Sequence, residues 1–265
     1  MTTRRLLDDL GASVALAEPP RRIVSLVPSI TESLASSVAD RLVGVTDWCT
    51  HPQDLDDLGV TRVRGTKNPD LARIAGLRPD LVVANMEENR ELDVRRLREG
   101  GIPVWVTRIE DVPTAFASLR RLFADVLQVT EPDWLTQAAR LWSGELSTQE
   151  ATVAVAIWRD PWMVVGRDTF TGDLLRRAGL ANAFAAHKDR YPHITLDQLD
   201  DPAFDAVLLP DEPYVFTAAD GPEAFAAVPT HLVSGRELTW YGPSLIQAHG
   251  SLTALRERLT AQRRG

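Results

Sequence analysis

Residues able to orient a ligand recur where apolar runs of this chain stop. In the first half they are Ser29, Thr31 and Glu32, then Trp48 and His51, Lys67 and Asn68, then Asn85, Glu87, Glu88 and Asn89, and Arg108. In the second half they are Trp158, Arg159, Trp162, Glu212, Tyr214, Phe216, Trp240 and Tyr241. Carboxylates and amides fix orientation, and aromatic rings beside a cation suit a planar or anionic molecule. Each also has a structural reading. Ser29 and Glu32 form the S-x-x-E spacing of a capping box. Glu87, Glu88 and Asn89 precede a helical run, where acidic groups complement the helix dipole. Trp240 and Tyr241 serve equally as a packing pair.

Covalent chemistry has little support. The chain contains no G-x-S-x-G, H-E-x-x-H, G-x-x-x-x-G-K-[ST] or G-x-G-x-x-G, so no catalytic residue is assigned. Cys49 and His51 stand two apart and would share one face of a strand, which makes them a weak nucleophile pair or weak metal candidates. No third ligand accompanies them. The remaining histidines, His187, His193, His231 and His249, are scattered and read as surface or turn residues.

Strand ends must hold these groups in place. Ser13–Leu16, Arg22–Val27, Leu42–Thr46, Val60–Val63, Leu81–Ala84 and Ile102–Val106 read as strands in the first half, with helices opening at Ser29, Leu71 and before Glu99. Thr152–Ile157, Met163–Val165, Ala183-Phe184, Ala206–Leu209 and His231–Val233 read as strands in the second, with helices over Thr171–Ala178, Leu196–Leu199, after Tyr214 and through Leu252, Leu255 and Leu259. Alternation of this kind predicts parallel sheets covered by helices. In such sheets ligands bind beyond the carboxyl ends of the strands.

Between the halves runs DVPTAFASLRRLFADVL, Asp111 to Leu127. Its apolar residues recur every three or four positions, and Pro113 falls in the first turn, so it predicts an amphipathic helix. A second such run, from Trp134 through Trp142, continues to about Leu146. The halves also repeat. Leu71 to Glu87 and Leu196 to Glu212 share a helix, an acidic turn, a strand and a glutamate at an offset of 125 residues. The predicted organisation is an α/β lobe over 1–110, a helical spine over 111–147 and a second α/β lobe over 148–265.

The formal charge of −8 argues against a nucleic-acid surface, and no apolar run approaches the roughly 20 residues of a membrane span. The single cysteine excludes an internal disulfide. Asp8 and Asp9 interrupt the apolar stretch a secretory leader needs, which predicts a cytoplasmic protein, or a periplasmic or extracellular one if a native leader has been removed.

The segments DDLGASVALAEPPRRIVSLVPSITESL, GVTDWCTHP and RGTKNPDLARIAGLRPDLVVAN, followed by the amphipathic helix, resemble the class III substrate-binding proteins of ABC importers. These are the helical-backbone receptors for cobalamin, ferric siderophores, haem and metals. RIVSLVPSITE and L-x-x-I-x-x-L-x-P-D-L-V carry most of a resemblance that covers nearly the whole chain. It implies two similar parallel-sheet α/β lobes joined by one long helix, with a small molecule held in the cleft between them. The ligand would lie between Asn85, Glu87 and Glu88 on one lobe and Trp158, Arg159, Trp162, Tyr214 and Trp240 on the other.

The resemblance implies no cofactor, and a ligand that can itself contain cobalt or iron. It implies an ABC permease as partner only for an exported protein, docked through carboxylates matched here by Glu91 and by Asp168 in GRDTF. The cobalamin receptor of that family carries tryptophans in two first-lobe loops, where this chain has Thr66-Lys67 and Asn85. The alternative is an enzyme, a hydrolase or lyase using the same cleft with Glu87 or Glu88 as acid or base.

Overall fold

A computed structural model describes residues 3–16, 18–144 and 148–264. The chain divides into two compact units, 1–109 with 113–136 and 241–243, and 110–112 with 137–240 and 244–265.

The first unit opens with an antiparallel hairpin, β1 (Arg4–Leu7) and β2 (Ser13–Leu16). Then follow β3 (Ile23–Ser25), α1 (Pro28–Val38), β4 (Leu42–Val45), β5 (Thr61–Arg62), a small hairpin of β6 (Arg64–Gly65) and β7 (Asn68–Pro69), α2 (Leu71–Gly76), β8 (Leu81–Asn85), α3 (Glu91–Glu99) and β9 (Val104–Thr107). Its main sheet has the order β5-β4-β3-β8-β9 and every pair is parallel. β3, β8 and β9 are buried along their whole length, as strands covered on both faces must be. Val24, Val82, Ala84, Val104 and Val106 pack with Ile74 of α2 and Val94 and Leu97 of α3 into one core.

The central amphipathic stretch is α4 (Val112–Arg121), continued by a π-helical turn over Leu122–Val126. The stripe formed by Val112, Ala115, Phe116, Leu119, Leu122, Phe123, Val126 and Leu127 is buried throughout. The π turn closes through the Leu127 N–H to the Leu122 carbonyl at 2.9 Å, so the helix widens by one residue where it stops. Pro113–Thr136 clusters with the first unit. α5 (Asp133–Trp142) follows and stops short of the expected Leu146, since Ser143 and Gly144 are not helical; 145–147 lie outside the described residues.

The second unit contains β10 (Ala151–Trp158), β11 (Met163–Val164), α6 (Phe170–Arg177), β12 (Leu180–Asn182), α7 (Leu196–Leu199), β13 (Ala206–Pro210), β14 (Thr230–Val233), α8 (Gly235–Thr239) and α9 (Ser244–Arg264). Its sheet runs β11-β10-β13-β14, with β12 also pairing β10. β12, β13 and β14 pair in parallel, whereas β11 is antiparallel to β10. The few residues between Trp158 and Met163 allow a hairpin and not a crossover, so this edge departs from the all-parallel expectation. The strand expected at Ala183-Phe184 lies slightly earlier, at β12. The helix expected after Tyr214 is only a 3-10 turn over Pro222–Ala224.

The repeat read in the sequence is present in the fold. Leu71 and Leu196 open α2 and α7, and Leu81 and Ala206 open β8 and β13.

Candidate functional site

At the end of β8, two buried asparagines stitch the strand-end loops of the first unit together. The Asn85 side-chain oxygen accepts from the backbone N–H groups of Glu87 (2.8 Å) and Glu88 (3.2 Å), which turns the chain sharply after the strand. Its amide nitrogen donates to Thr107 Oγ1 at 3.1 Å. Asn89 accepts from the Asn85 N–H at 2.8 Å and donates to the carbonyls of Leu26 and Thr66 at 3.1 and 3.0 Å. The expectation that Asn85 and Asn89 meet a ligand is therefore corrected, because their amides satisfy loop backbone that would otherwise be buried unpaired.

The carboxylates between them stand differently. Glu87 and Glu88 are half-buried, and Lys67 Nζ reaches the Glu87 carbonyl at 2.5 Å. Glu88 accepts from the Tyr241 hydroxyl at 3.0 Å. Tyr241 is buried; burial first, then the Glu88 carboxylate, push its pKa well above 10.0, so it stays a neutral donor. It reaches the first unit because Gly242 lies against α1, where a Cβ would stand 2.7 Å from Ser33 Oγ and 3.0 Å from the Ser29 carbonyl.

Ser29 and Glu32 do not form the capping box. The N-cap of α1 is Val27 and makes no side-chain cap. Pro28, already set for helix geometry, starts the helix two residues earlier than a Ser29 cap would and draws Ser29 into its first turn, where Ser29 and Glu32 are both buried.

Two large side chains remain outside. Trp48, after β4, is 64% exposed and lies over Gly65, where a Cβ would come 3.1 Å from its indole nitrogen. Met86, next to the end of β8, is 40% exposed. Cys49 is buried, with Thr31 Oγ1 and Thr46 Oγ1 each 3.1 Å from its sulfur, and burial raises its thiol pKa. His51 contacts Thr50 Oγ1 at 3.1 Å, and the described residues contain no group of three His, Cys, Asp or Glu placed to hold a metal.

The second unit treats its strand ends with rings and ions. Trp162 stacks on Phe216 (5.9 Å, 4°) and meets Phe225 edge-on, within the apolar core. Trp240 is buried too. Trp162, Phe216 and Trp240 are therefore not open to a ligand as the sequence suggested, since burying an aromatic ring removes its apolar surface from water. Arg159 lies over Trp162 at 5.4 Å and is held by Asp220 and by Glu223, the latter at 2.6 Å. Tyr214 donates to the other oxygen of Asp220 at 2.7 Å. The Arg159 charge is already neutralised, which corrects its reading as the anchor for an anionic ligand.

Burial pushes the Glu212 carboxyl up, opposed by hydrogen bonds from Trp240 and Thr239. Trp158 is 44% exposed, edge-on to half-buried Tyr214 at 5.4 Å, and Val215 is 64% exposed. Asp220 and Glu223 escaped the sequence reading; their signal was the D-G-P-E turn closely following Tyr214. Glu91 opens α3 on the surface, and Asp168 is exposed at φ +49° and paired with Arg167 at 2.6 Å.

The structure thus consists of two α/β units with mainly parallel sheets, with exposed apolar side chains at several of their strand ends. Residues 23–121 match the family model of the periplasmic binding proteins. The chain is 25% identical over 189 residues to a vitamin B12-binding protein of Vibrio parahaemolyticus, covering 69% of this chain and 68% of that protein. Among solved structures it is similar to the periplasmic heme-binding protein RhuT of Roseiflexus (TM-score 0.74, 20% identity, 91% and 98% of the two chains). It is also similar to a Helicobacter pylori CeuE in a nickel–histidine complex (TM-score 0.78, 14% identity, 98% and 90%). The chain thus has the class III substrate-binding-protein fold that its opening segments resemble, and it carries the family's sequence pattern across β3 to α4.

Proposed function

We propose that this protein binds a small molecule of the corrinoid, haem, ferric-chelate or related metal-complex class through the strand-end loops of its units. The observation that carries this reading is the placement of Trp48, Met86, Trp158 and Val215. All are large, apolar and exposed; Trp158 is the last residue of β10, and Trp48, Met86 and Val215 lie in the loops that follow β4, β8 and β13. Indole and thioether surfaces suit a broad, flat, polarisable ligand. The vitamin B12 and heme named for the relatives are of that kind. Glu87 and Lys67 add polar groups beside Met86 in the first unit.

The test is a titration with cyanocobalamin, haemin and a ferric catecholate chelate, followed by tryptophan fluorescence. It is paired with a native mass spectrum of the protein from its own host. Saturable quenching by one of them, weakened about tenfold or more in Trp158→Ala or Trp48→Ala, supports the reading. No saturable binding together with a clean apo mass overturns it. Recovery of the ligand unchanged separates binding from turnover at Glu87 or Glu88.

The periplasmic description of the matching family favours a protein that works outside the cytoplasm. In that setting the exposed carboxylates Glu91 and Asp168 are the candidates for docking an ABC permease. Fractionation of host cells tests this, and a purely cytosolic signal would remove both the compartment and the permease.

A further inference from the structure

The second unit contains a cavity of about 260 Å³ whose lining shares no residue with the strand-end surfaces above. It is framed by the edge strand β14, the short helix α8 and the middle of α9. Leu232, Leu238, Leu252 and Leu255 give it an apolar wall. Leu232 is 48% exposed, although β14 is paired along one side only.

Three titratable groups line the same space: His231, Glu237 and Arg258. No ion pair joins Glu237 or Arg258 to each other or to another described residue. Arg258 is exposed and Glu237 half-buried, so two opposite charges stand beside one apolar wall with solvent on their other side and are both available to a ligand. Nε2 of His231 is buried and has no hydrogen-bond partner. Burial, then the Arg258 guanidinium, lower the His231 pKa, so the ring is neutral at pH 7 and can donate or accept there.

We propose that this cavity binds a small zwitterion with an apolar branch, of which an apolar α-amino acid is the simplest. Its carboxylate pairs with Arg258, its ammonium pairs with Glu237, and its branch lies on the leucines. His231 Nε2 supplies a further hydrogen bond. The cavity falls just below the roughly 300–1,000 Å³ of pockets for drug-sized molecules, which fits a ligand of amino-acid size. Charge-assisted hydrogen bonds at both ends give selectivity against molecules carrying either charge alone.

The test uses the full chain, labelled with nitrogen-15, and titrates L-leucine, 4-methylpentanoate (which lacks the ammonium) and 3-methylbutylamine (which lacks the carboxylate). The expected result is saturable shifts of the amides of 231–238 and 251–258 with L-leucine. Each analogue with one charge should bind about tenfold or more weakly. Arg258→Gln should reduce L-leucine to the level of the amine, and Glu237→Gln to the level of the carboxylate, with melting temperatures confirming that both variants fold. The proposal is overturned by absence of saturable shifts at tens of millimolar L-leucine. It is equally overturned if either analogue binds as tightly as L-leucine, or if both variants bind it as the parent does. None of these outcomes depends on a metal complex binding elsewhere.

Discussion

β8 and β13 hold equivalent places in their sheets. Leu81 of β8 pairs with Ile23 of β3, and Ala206 of β13 pairs with Val153 of β10. Glu87 and Glu212 follow these strands at the same offset. Yet the loops beyond the strands are held by different physics. After β8, hydrogen bonds from two buried amides fix the turn, and of its half-buried glutamates Glu88 accepts from Tyr241. After β13, stacked rings and an arginine with two carboxylates fix it, and burial pushes the carboxyl of half-buried Glu212 up. A strand frame therefore specifies where a loop starts, while the loop's own residues decide which groups remain available to a ligand.

The contrast can be broken most forcefully at Trp162. Trp162→Ala should destabilise the second unit by about 3–5 kcal/mol in urea unfolding, the usual cost of deleting a core aromatic ring. A loss below about 1 kcal/mol would return Trp162 to the surface role that its place in the sequence suggested. The matching test in the first unit is Asn89→Ala. It strands the Asn85 N–H and two carbonyls, and should cost about 2–3 kcal/mol and expose the amides of the 85–89 loop to hydrogen exchange.

Glu212 sharpens the comparison through pH. Its folded pKa lies above the ordinary 4.5, so as pH rises past that value the unfolded chain releases its proton first and stability falls until the folded carboxyl ionises as well. Glu212→Gln should remove this descending limb from a plot of unfolding free energy against pH. A curve unchanged by the substitution would show that Glu212 is not held in the acid form. The smallest stability effect belongs to Trp158→Ala. At a side chain 44% exposed, the change should stay within about 1 kcal/mol while ligand binding weakens.

Much of the frame was legible because it rests on local rules. Apolar runs of strand length, helical spacing in α4 and the repeated Leu-to-Glu segment each follow from periodicities that neighbouring residues enforce on one another. Strand ends followed from these, and with them the positions of Trp48, Glu87 and Trp158. What escaped was the fate of individual side chains. Arg159 read as a free cation because Asp220 and Glu223 lie some 60 residues away, at separations of 61 and 64. Ser29 read as a cap because the spacing fitted, and the adjacent Pro28 moved the helix start.

The sequence alone determined two α/β segments, the amphipathic helix between them, the strand-end loops that carry the candidate residues and the resemblance to class III binding proteins. All depend on residues close together in the chain. Tertiary structure alone decided which aromatic rings became core and which faced water, that Tyr241 holds Glu88, and that His231, Glu237 and Arg258 share a cavity. Burial and charge pairing are properties of neighbours in space, and most of those neighbours are distant in sequence.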